Sequence, residues 1–543
     1  MINIIRFIGQ QVLFLQQLGT YDLEVKKGRL KFIVSILLSA LLFALGWPPS
    51  KFNFLLFVAF VPALILAFEQ QKTRTAFFIF FFTILSMGLM LYGSLLLAGE
   101  YVFPIIVGFL IAPALWSLSI IIPHKVSKKH GLNYGLMLFP FFYLSQEILH
   151  YYLHFGITYS HLGFGLVNNP IFLGVYPYLG LEGGSFMVIG LNTSLVFFYM
   201  NAKKSGLKFK YSIPTGILLL IILISAFVQP PLRKIRSLNV AIFQPDKQVV
   251  DSIEDNLEKK IDLLEVELKN NLKPKIDLII CPESYMMDMK KNPLVVNTLG
   301  EHKSVQRLST LCRQNNLSIL SGAILVKLFR AGKPPTSSAK KMPSKKGVYF
   351  DIYNGSVFVT PDGKVSWRSK QRLLPFSESI PFYEVINFLE GIGLWPKRIG
   401  KTYGIVPFEG PFEYQDICIA PMICYESSFP STIQGLIQHK ANLAVVLSTT
   451  WTDSDWMRQQ HQDAMPAIQR SFGKTVIYST LDQESSVVDH FGRKKHSDKS
   501  FEVKSINLYD SAGFYPNLAS KPWIWVLLNL ILLVGVFVIK IRR

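Results

Sequence analysis

Long apolar runs separated by short polar segments fill the first 230 residues, and one more such run lies close to the C-terminal end. Because an α-helix rises about 1.5 Å per residue, about 20 apolar residues cross the hydrocarbon core of a bilayer. The runs predict eight transmembrane helices, near residues 32–47, 53–68, 76–98, 102–123, 132–150, 184–200, 211–229 and 522–539. Residues 1–31 form an amphipathic segment before them, and residues 519–543 hold the eighth helix and a basic tail.

The segment from 231 to 518 has a different pattern, in which short apolar runs alternate with amphipathic stretches. Strands are predicted at 239–243, 276–281, 317–325, 348–360, 364–368, 416–423, 443–448 and 475–480. Helices are predicted at 249–272, at 302–316, from about 430, and at 457–472. Repeated strand–helix units with strongly apolar strands predict an α/β sheet covered by helices, placed between the seventh and eighth membrane helices.

Basic residues cluster in alternate connections between the predicted membrane helices. The clusters are Lys26, Lys27, Arg29 and Lys31; Lys72 and Arg74; Lys125, Lys128 and Lys129; Lys203, Lys204, Lys208 and Lys210; and Lys540, Arg542 and Arg543. The remaining connections contain Lys51 and no other lysine or arginine up to residue 183. Since cytoplasmic loops are enriched in lysine and arginine, both termini are predicted in the cytoplasm and the 231–518 domain outside it.

Composition supports a membrane protein with a large soluble part. Half of the 543 residues are apolar, and the mean hydropathy is +0.32. The formal charge of +20 would suggest a nucleic-acid partner if it formed one stripe on a soluble fold, but the clusters between apolar runs are better explained by membrane orientation. We therefore expect no nucleic-acid partner.

The connection from 151 to 183 is rich in Gly, Tyr, His and Phe and is too polar and broken to span a bilayer. We expect it to lie at the membrane interface or to pack under the external domain. A role in admitting the substrate is the alternative.

Three reactive side chains each follow an apolar run of the 231–518 domain: Glu283, Lys370 and Cys424. A thiol nucleophile needs a base and a nearby positive group that stabilises the developing oxyanion, and these residue types supply both. Each also has an ordinary structural explanation. Cys424 could be a small buried apolar residue, Glu283 an acid at a helix N-terminus, and Lys370 a solvated lysine.

The order of three short motifs resembles the nitrilase (carbon–nitrogen hydrolase) superfamily: Pro282-Glu283, Lys370 followed by Leu373-Leu374-Pro375-Phe376-Ser377-Glu378, and Cys424-Tyr425-Glu426. The membrane helices narrow the resemblance to the apolipoprotein N-acyltransferase family. Ala44 to Pro49, Gly183 to Phe186 with Asn192, and Tyr353-Asn354-Gly355 match this family too. The resemblance implies eight membrane helices and a nitrilase-like α-β-β-α sandwich inserted between the last two.

By this resemblance Glu283 is the general base, Lys370 the transition-state stabiliser and Cys424 the nucleophile. Glu378, Tyr425, Glu426 and Asn354 are supporting or substrate-binding residues. The family implies no metal or other cofactor, and the four cysteines have no metal-ligand spacing. We expect a monomer in the bacterial inner membrane with a periplasmic catalytic domain.

The implied reaction is ping-pong acyl transfer. Cys424 takes an acyl chain from a membrane phospholipid, and the α-amino group of the diacylglyceryl-cysteine of an apolipoprotein then removes it. Trp395 and the 151–183 connection could exclude water from the thioester. A membrane-tethered amidase, in which water resolves the acyl-enzyme, and a catalytically silent lipoprotein-binding relative are the alternatives.

Three segments depart from the family pattern, at 449–453, 466–469 and 481–483, while His461 keeps its match. We expect these segments to surround the three reactive residues. They therefore put acyl-donor preference and rate in doubt, but not the class of reaction.

Overall fold

The chain folds into an apolar helical domain that carries an α/β sandwich. The computed structural model describes residues 27–97, 102–153, 160–227, 232–253, 256–271, 273–331, 333–343, 345–375, 377–380, 382–393, 402–429, 432, 440–449, 459–460, 462–481, 484–497, 499–511 and 523–541. Trp395 and His461 lie outside the described residues, as do 450–453, 482–483 and most of the helix expected from about 430.

The helical domain contains apolar helices of unequal length. They are α1 (Lys27–Gly46), α2 (Leu56–Ala59), α3 (Val61–Glu69), α4 (Thr73–Tyr92), α5 (Val102–Ser117), α6 (Ile121–His130), α7 (Leu132–His150), α8 (Tyr176–Ser205), α9 (Ile213–Ser225) and α15 (Trp523–Ile541). Within the described ranges, four helical stretches are long and apolar enough to cross a membrane: Arg29–Gly46, Thr73–Tyr92, Ile106–His130 and Ile171–Ser205. Three more apolar stretches are shorter: Asn53–Glu69, Ile213–Ser225 and Ile524–Gly535.

The helix predicted at 53–68 is interrupted near Phe60. Pro62 stands in the first turn of α3, and proline has no N–H for the preceding helix to use. The side chain of Asn192, on α8, repairs the break: its Oδ1 accepts from Phe60 N at 2.8 Å, and its Nδ2 donates to Leu56 O at 2.7 Å. A buried backbone group without a partner costs about 1–3 kcal/mol, so this amide holds α2, α3 and α8 together.

The basic connections meet at one end of the helical domain. Lys31 and Lys203 both pair with Glu69, Lys203 at 3.1 Å. Lys128 Nζ donates to Phe68 O at 3.0 Å. Four basic segments that the sequence predicts on one side of the membrane therefore lie at the same end of the helical domain.

The α/β domain consists of two sheets. Its strands are β1 (Leu232–Phe243), β2 (Leu278–Met286), β3 (Leu294–Val295), β4 (Ser318–Arg330), β5 (Lys340–Lys341), β6 (Val348–Val359), β7 (Val365–Ser369), β8 (Phe412–Tyr414), β9 (Ile417–Ile423), β10 (Leu443–Ser448), β11 (Val476–Thr480), β12 (Ser485–Val488), β13 (Lys494–Ser497) and β14 (Phe501–Ser511). The first sheet has the order β14-β1-β2-β4-β6-β5, with β3 on β4 and β7 on β6, and the second has the order β13-β12-β11-β10-β9-β8. β1, β2 and β4 are parallel to one another, and so are β9, β10 and β11. Their carboxyl ends therefore form common edges.

Helices cover both sheets, which gives the α-β-β-α layers that the family resemblance implied. The covering helices are α10 (Lys247–Ser252), α11 (Leu257–Asn270), α12 (Lys303–Asn315) and α14 (Met465–Phe472), whereas α13 (Tyr383–Gly391) leaves Val385 and Phe388 exposed. Side chains alternate between the faces of a strand, and β10 shows the consequence. Val445 packs between the sheets, whereas Val446 packs in the cluster shared by α14 and the helical domain.

The connection after α7 packs under the α/β domain. Its described residues are 151–153 and 160–175, and α8 follows them, beginning at Tyr176 and not near 184; Gly180 kinks this helix with φ 69°. Polar groups from the helices hold the connection: Glu147 Oε1 accepts from Leu162 N at 2.9 Å, and Ser185 Oγ accepts from Gly163 N at 2.8 Å. Because Phe164 and Ile468 of α14 belong to one core cluster, α14 lies between the second sheet and the helical domain.

Candidate active site

Glu283, Lys370 and Cys424 come together at the carboxyl ends of strands from both sheets. Glu283 lies on β2, Lys370 directly follows β7, and Cys424 directly follows β9. Their exposed fractions are 4%, 1% and 6%. Lys370 is therefore not a solvated lysine, and Glu283 is not at a helix N-terminus.

One ammonium and one amide bridge two carboxylates at the centre of this group. Lys370 Nζ lies 2.9 Å from Glu378 and 3.6 Å from Glu283 Oε1. Asn354 Nδ2 donates to Glu283 Oε1 at 2.7 Å and to Glu378 Oε1 at 2.6 Å. Charge-assisted hydrogen bonds of this kind fix the orientation of a carboxylate. The orientation of Glu283 therefore depends on residues from β6 and from the segment after β7.

The backbone of β2 bends where Glu283 leaves the ladder. The pairing of β2 with β4 is regular up to Cys281 and shifts before Met286. Gly322 of β4 stands at the bend, and a Cβ on it would lie 2.4 Å from Glu283 Cα. Glu283 Oε2 accepts from Thr449 N, after β10, at 2.9 Å. Both sheets thus hold the Glu283 carboxylate.

Cys424 occupies a turn that few non-glycine residues adopt. Its φ is 50°, in the left-handed region, so strand β9 ends abruptly and the thiol stands at the turn. Glu426 secures this turn: its Oε1 accepts from Ile423 N at 2.5 Å, and its Oε2 accepts from Gln371 N at 2.7 Å. Glu426 therefore ties the Cys424 turn to the residue that follows Lys370.

Burial and neighbouring charges set the protonation of these groups. Burial, with the charge of Glu283, raises the pKa of Cys424 to about 12 against the opposing charge of Lys370. Burial also raises the pKa of Glu283, although Lys370 opposes it. Burial would lower the pKa of Lys370, but the carboxylates of Glu283 and Glu378 outweigh burial and raise that pKa. The resting site therefore holds a neutral thiol beside a cationic lysine.

Cys424 is also part of an apolar cluster that the helical domain shares. Ile148 and Tyr151, from the end of α7, and Trp525 of α15 belong to the same cluster as Cys424 and Tyr425. Tyr151 contacts the ring of Phe429 at 6.2 Å between centroids, and Phe429 contacts Tyr425 at 5.0 Å. The thiol thus lies where the α/β domain meets the apolar helices.

The three segments that depart from the family pattern do not all lie close to Glu283, Lys370 and Cys424. Thr449 contacts Glu283 through its backbone N–H, which any residue other than proline would provide. The expectation that 466–469 surrounds the reactive residues is wrong. This segment lies in α14, where Ala467 and Ile468 pack against the helical domain and Gln469 Nε2 donates to Lys474 O at 3.1 Å. Leu481 packs in the cluster on the outer face of the first sheet.

Sequence reasoning missed Gly322, Tyr151 and Trp525, and it indicated Thr449 only as part of a segment expected around the reactive residues. The run Ser321-Gly322-Ala323 of small residues inside an apolar strand signals a close backbone approach, and it could have indicated Gly322. The other three are ordinary residues in their local sequence. Their role depends on which strand ends and helices meet, so nothing local distinguishes them.

Both parts of the chain match models of known protein families. Residues 39–194 match the family model of the apolipoprotein N-acyltransferase N-terminal domain, and residues 239–478 match that of carbon-nitrogen hydrolases. An apolipoprotein N-acyltransferase of Chlorobaculum tepidum is 24% identical over 78% of this chain and 80% of its own length. Apolipoprotein N-acyltransferase 1 of Treponema denticola is 22% identical over 62% of this chain and 64% of its own length. A carbon-nitrogen hydrolase from Helicobacter pylori G27, known from its crystal structure, is 16% identical, and the match covers 51% of this chain and 89% of that chain with a TM-score of 0.34.

Proposed function

The chain belongs to the apolipoprotein N-acyltransferase family, and we propose that it transfers an acyl chain from a membrane phospholipid to the N-terminal amine of diacylglyceryl-cysteine in apolipoproteins. The observation that carries this proposal is the position of Cys424. Its thiol belongs to one apolar cluster with Ile148, Tyr151 and Trp525 of the helical domain. Substrates whose acyl chains lie in a bilayer can reach a nucleophile in that position, whereas a small soluble amide would not require it.

In the first half-reaction the Cys424 sulfur attacks the ester carbonyl of a phospholipid. Because the thiol is neutral at rest, its proton must leave as the sulfur–carbon bond forms, and Glu283 accepts it. Lys370 and the backbone N–H of Tyr425 stabilise the oxyanion. Collapse of the tetrahedral intermediate breaks the ester bond. Glu283 returns the proton to the departing lysophospholipid oxygen, and a thioester remains on Cys424.

In the second half-reaction the neutral α-amino group of diacylglyceryl-cysteine attacks the thioester carbonyl. Glu283 accepts a proton from the attacking nitrogen as the carbon–nitrogen bond forms. The carbon–sulfur bond then breaks, and Cys424 leaves as a thiolate that takes the proton back. The products are the N-acylated lipoprotein and the starting enzyme.

Glu378 and Asn354 contribute to this reaction by holding other side chains in place. Both bind groups that contact the reacting atoms: Glu378 binds Lys370, and Asn354 binds Glu283. Glu426 holds the Cys424 turn through two backbone N–H groups. Their proposed role is to keep the base and the nucleophile within reach of one carbonyl.

We also propose eight membrane helices, with the α/β domain between the seventh and eighth on the periplasmic side of the inner membrane. Support comes from the two ends of the helical domain. The basic connections share one end, and the α/β domain contacts the other, where Gln460 Nε2 donates to Pro48 O at 2.9 Å. Since lysine-rich ends face the cytoplasm, the α/β domain faces away from it.

The test is the acyl-enzyme itself. The purified full-length protein is incubated with phospholipid and analysed by mass spectrometry, and we expect one acyl adduct on Cys424 that hydroxylamine removes. Cys424→Ala should abolish the adduct. Cys418→Ala is the matched control, because Cys418 is a half-buried thiol on β9 at the other end of the strand, and it should leave the adduct intact.

Adding a diacylated peptide separates the alternatives. Transfer predicts that the adduct disappears as N-acylated peptide accumulates. Free fatty acid without acylated peptide would instead identify an amidase-like hydrolase. If no adduct forms with any phospholipid, the acyltransferase proposal fails and a silent lipoprotein-binding relative remains.

A further inference from the structure

A recess opens at the flank of the sandwich, and residues of the outermost strands of the two sheets, β13 and β14, contribute to its lining. Its volume is about 410 Å³, compared with about 30 Å³ for one water molecule in the liquid. The lining residues include Lys495 of the β12–β13 hairpin and Lys504 and Tyr509 of β14. Since Thr475, just before the start of β11, also lines it, the recess is at the opposite end of the parallel strands from Cys424.

The charged side chains around this recess are mainly cationic. Arg493, Lys495 and Lys504 face one lining carboxylate, Asp489. Arg493 pairs with Asp489 at 2.8 Å, and Lys504 pairs with Glu502 at 2.8 Å. Lys495 is exposed and forms no ion pair with any residue in the described ranges. The recess therefore retains positive charge after its internal pairs are formed.

Neutral groups complete a polar wall. His490 packs against Tyr509 with the rings tilted and 4.2 Å between their centroids, and Asn507 Nδ2 donates to the Tyr509 hydroxyl at 3.4 Å. Burial lowers the pKa of His490, so its ring is neutral at pH 7 and can accept or donate a hydrogen bond. Side chains of this kind surround phosphate groups in proteins.

The recess lies close to the end of the helical domain that contacts the sandwich. The turn at its rim, 489–493, rests on α14, where Gly492 is packed against the Arg470 side chain. Arg470 in turn interacts electrostatically with Tyr178, in the first turn of α8. Phe491, at the tip of the turn, is 44% exposed, and Arg493 stacks on its ring at 4.7 Å. Exposed phenylalanine rings together with basic side chains occur on protein surfaces that lie in the interface of a bilayer.

We propose that this recess binds the phosphate of an anionic lipid headgroup in the leaflet that faces the α/β domain. This second lipid site is separate from Cys424. It holds the end of the sandwich that is farthest from Cys424 on the membrane surface. The proposal rests on the membrane position of the helices and not on acyl transfer. Lipid binding at this recess can therefore be tested in a variant that cannot form a thioester.

The experiment measures lipid binding to the full-length Cys424→Ala protein in a neutral detergent. The probe is dihexanoylphosphatidylglycerol, a soluble anionic lipid, and the comparison probes are dihexanoylphosphatidylcholine and inorganic phosphate. Removing one cation near an anionic headgroup should weaken binding about five-fold, so Lys495→Gln should lower the affinity for the anionic lipid by that factor. Lys499→Gln is the matched control, because Lys499 is an exposed lysine in the adjacent β13–β14 turn that does not line the recess.

The expected result is tighter binding of the anionic lipid than of the phosphatidylcholine, a loss in Lys495→Gln, and no change in Lys499→Gln. Equal losses in both variants would show a diffuse charge effect and overturn the site. Equal binding of both lipids would overturn it as well. If inorganic phosphate displaces the anionic lipid at the lipid's own dissociation constant, the recess is a free-phosphate site, and the lipid proposal is wrong.

Discussion

At the scale of single residues, the site depends on how two carboxylates share one ammonium. Glu283 and Glu378 both bind Lys370 and both accept from Asn354, so a change at one carboxylate changes the other. The charge of Glu378 raises the pKa of Glu283, although burial raises it more. Glu378 therefore adjusts the strength of the proposed base without contacting the thiol proton.

The pH dependence of thioester formation tests this coupling. The base must be ionised, so the rate should fall as the pH drops through the pKa of Glu283, which lies above the usual range for glutamate. Glu378→Gln removes a negative charge that raises that pKa. The acid limb of the rate profile should therefore move to lower pH, whatever happens to the maximal rate. A limb that stays in place or moves to higher pH would contradict the assignment of Glu283 as the base.

At the scale of elements, the site requires a close approach of β2 and β4 that a side chain on Gly322 would prevent. β4 passes the bend of β2 at Gly322, and this approach brings Glu283 out of the ladder towards Thr449. In the same way, the left-handed turn at Cys424 ends β9. Local backbone geometry thus positions both the proposed base and the nucleophile.

Gly322→Ala tests the close approach. Its Cβ would lie 2.4 Å from Glu283 Cα, so backbone must move. We expect a loss of about 1–3 kcal/mol in the free energy of unfolding, as for overpacked cores, and a larger relative loss of thioester formation. Gly300→Ala is the control, because a Cβ there meets nothing within 4 Å and the residue is exposed. Thermal unfolding and adduct formation measure the two effects, and wild-type adduct formation in Gly322→Ala would refute the role of the bend.

At the scale of the whole molecule, the two domains meet through a shared apolar core. The second sheet and α14 pack on the same cluster as the helices of the membrane domain, and Cys424 lies in a neighbouring cluster with α7 and α15. The α/β domain is therefore seated on the helices and is not tethered by a loose linker. This arrangement gives the proposed nucleophile a fixed position relative to the bilayer.

The orientation of this assembly can be measured by labelling. Lys51→Cys places a thiol at the end that contacts the α/β domain, and Lys204→Cys places one at the basic end; both lysines are exposed. Both changes are made in a protein that also carries Cys418→Ala and Cys424→Ala, because these thiols lie in the α/β domain. In spheroplasts, a membrane-impermeant maleimide should label the first variant, because that end faces the periplasm in the proposed orientation. It should label the second only after permeabilisation. The reverse pattern would invert the proposed topology.

Much of the fold could be predicted because the relevant signals are local. The Pro361-Asp362-Gly363 turn predicts the β6–β7 hairpin, and the structure pairs Val359 with Val365 across it. β14 was not predicted, although it pairs with β1 over almost its whole length. The run 501–511 alternates apolar and polar residues, a local pattern that favours a strand, but its partner strand lies more than 250 residues earlier and no local pattern identifies it. The kink of α8 at Gly180 and the repair of the α2–α3 break by Asn192 depend on distant partners in the same way.

By itself, the sequence determined the apolar helices and the strand–helix alternation, and it predicted the sidedness of the basic connections and three candidate reactive residues. These follow from hydropathy, periodicity, charge and motif order, which need no knowledge of long-range contacts. Only the tertiary structure decided that Lys370 is buried between two carboxylates, that Thr449 binds Glu283 through its backbone, and that Cys424 lies against α7 and α15. Such contacts join strand ends and helices far apart in the chain, and their geometry depends on packing that no local pattern encodes.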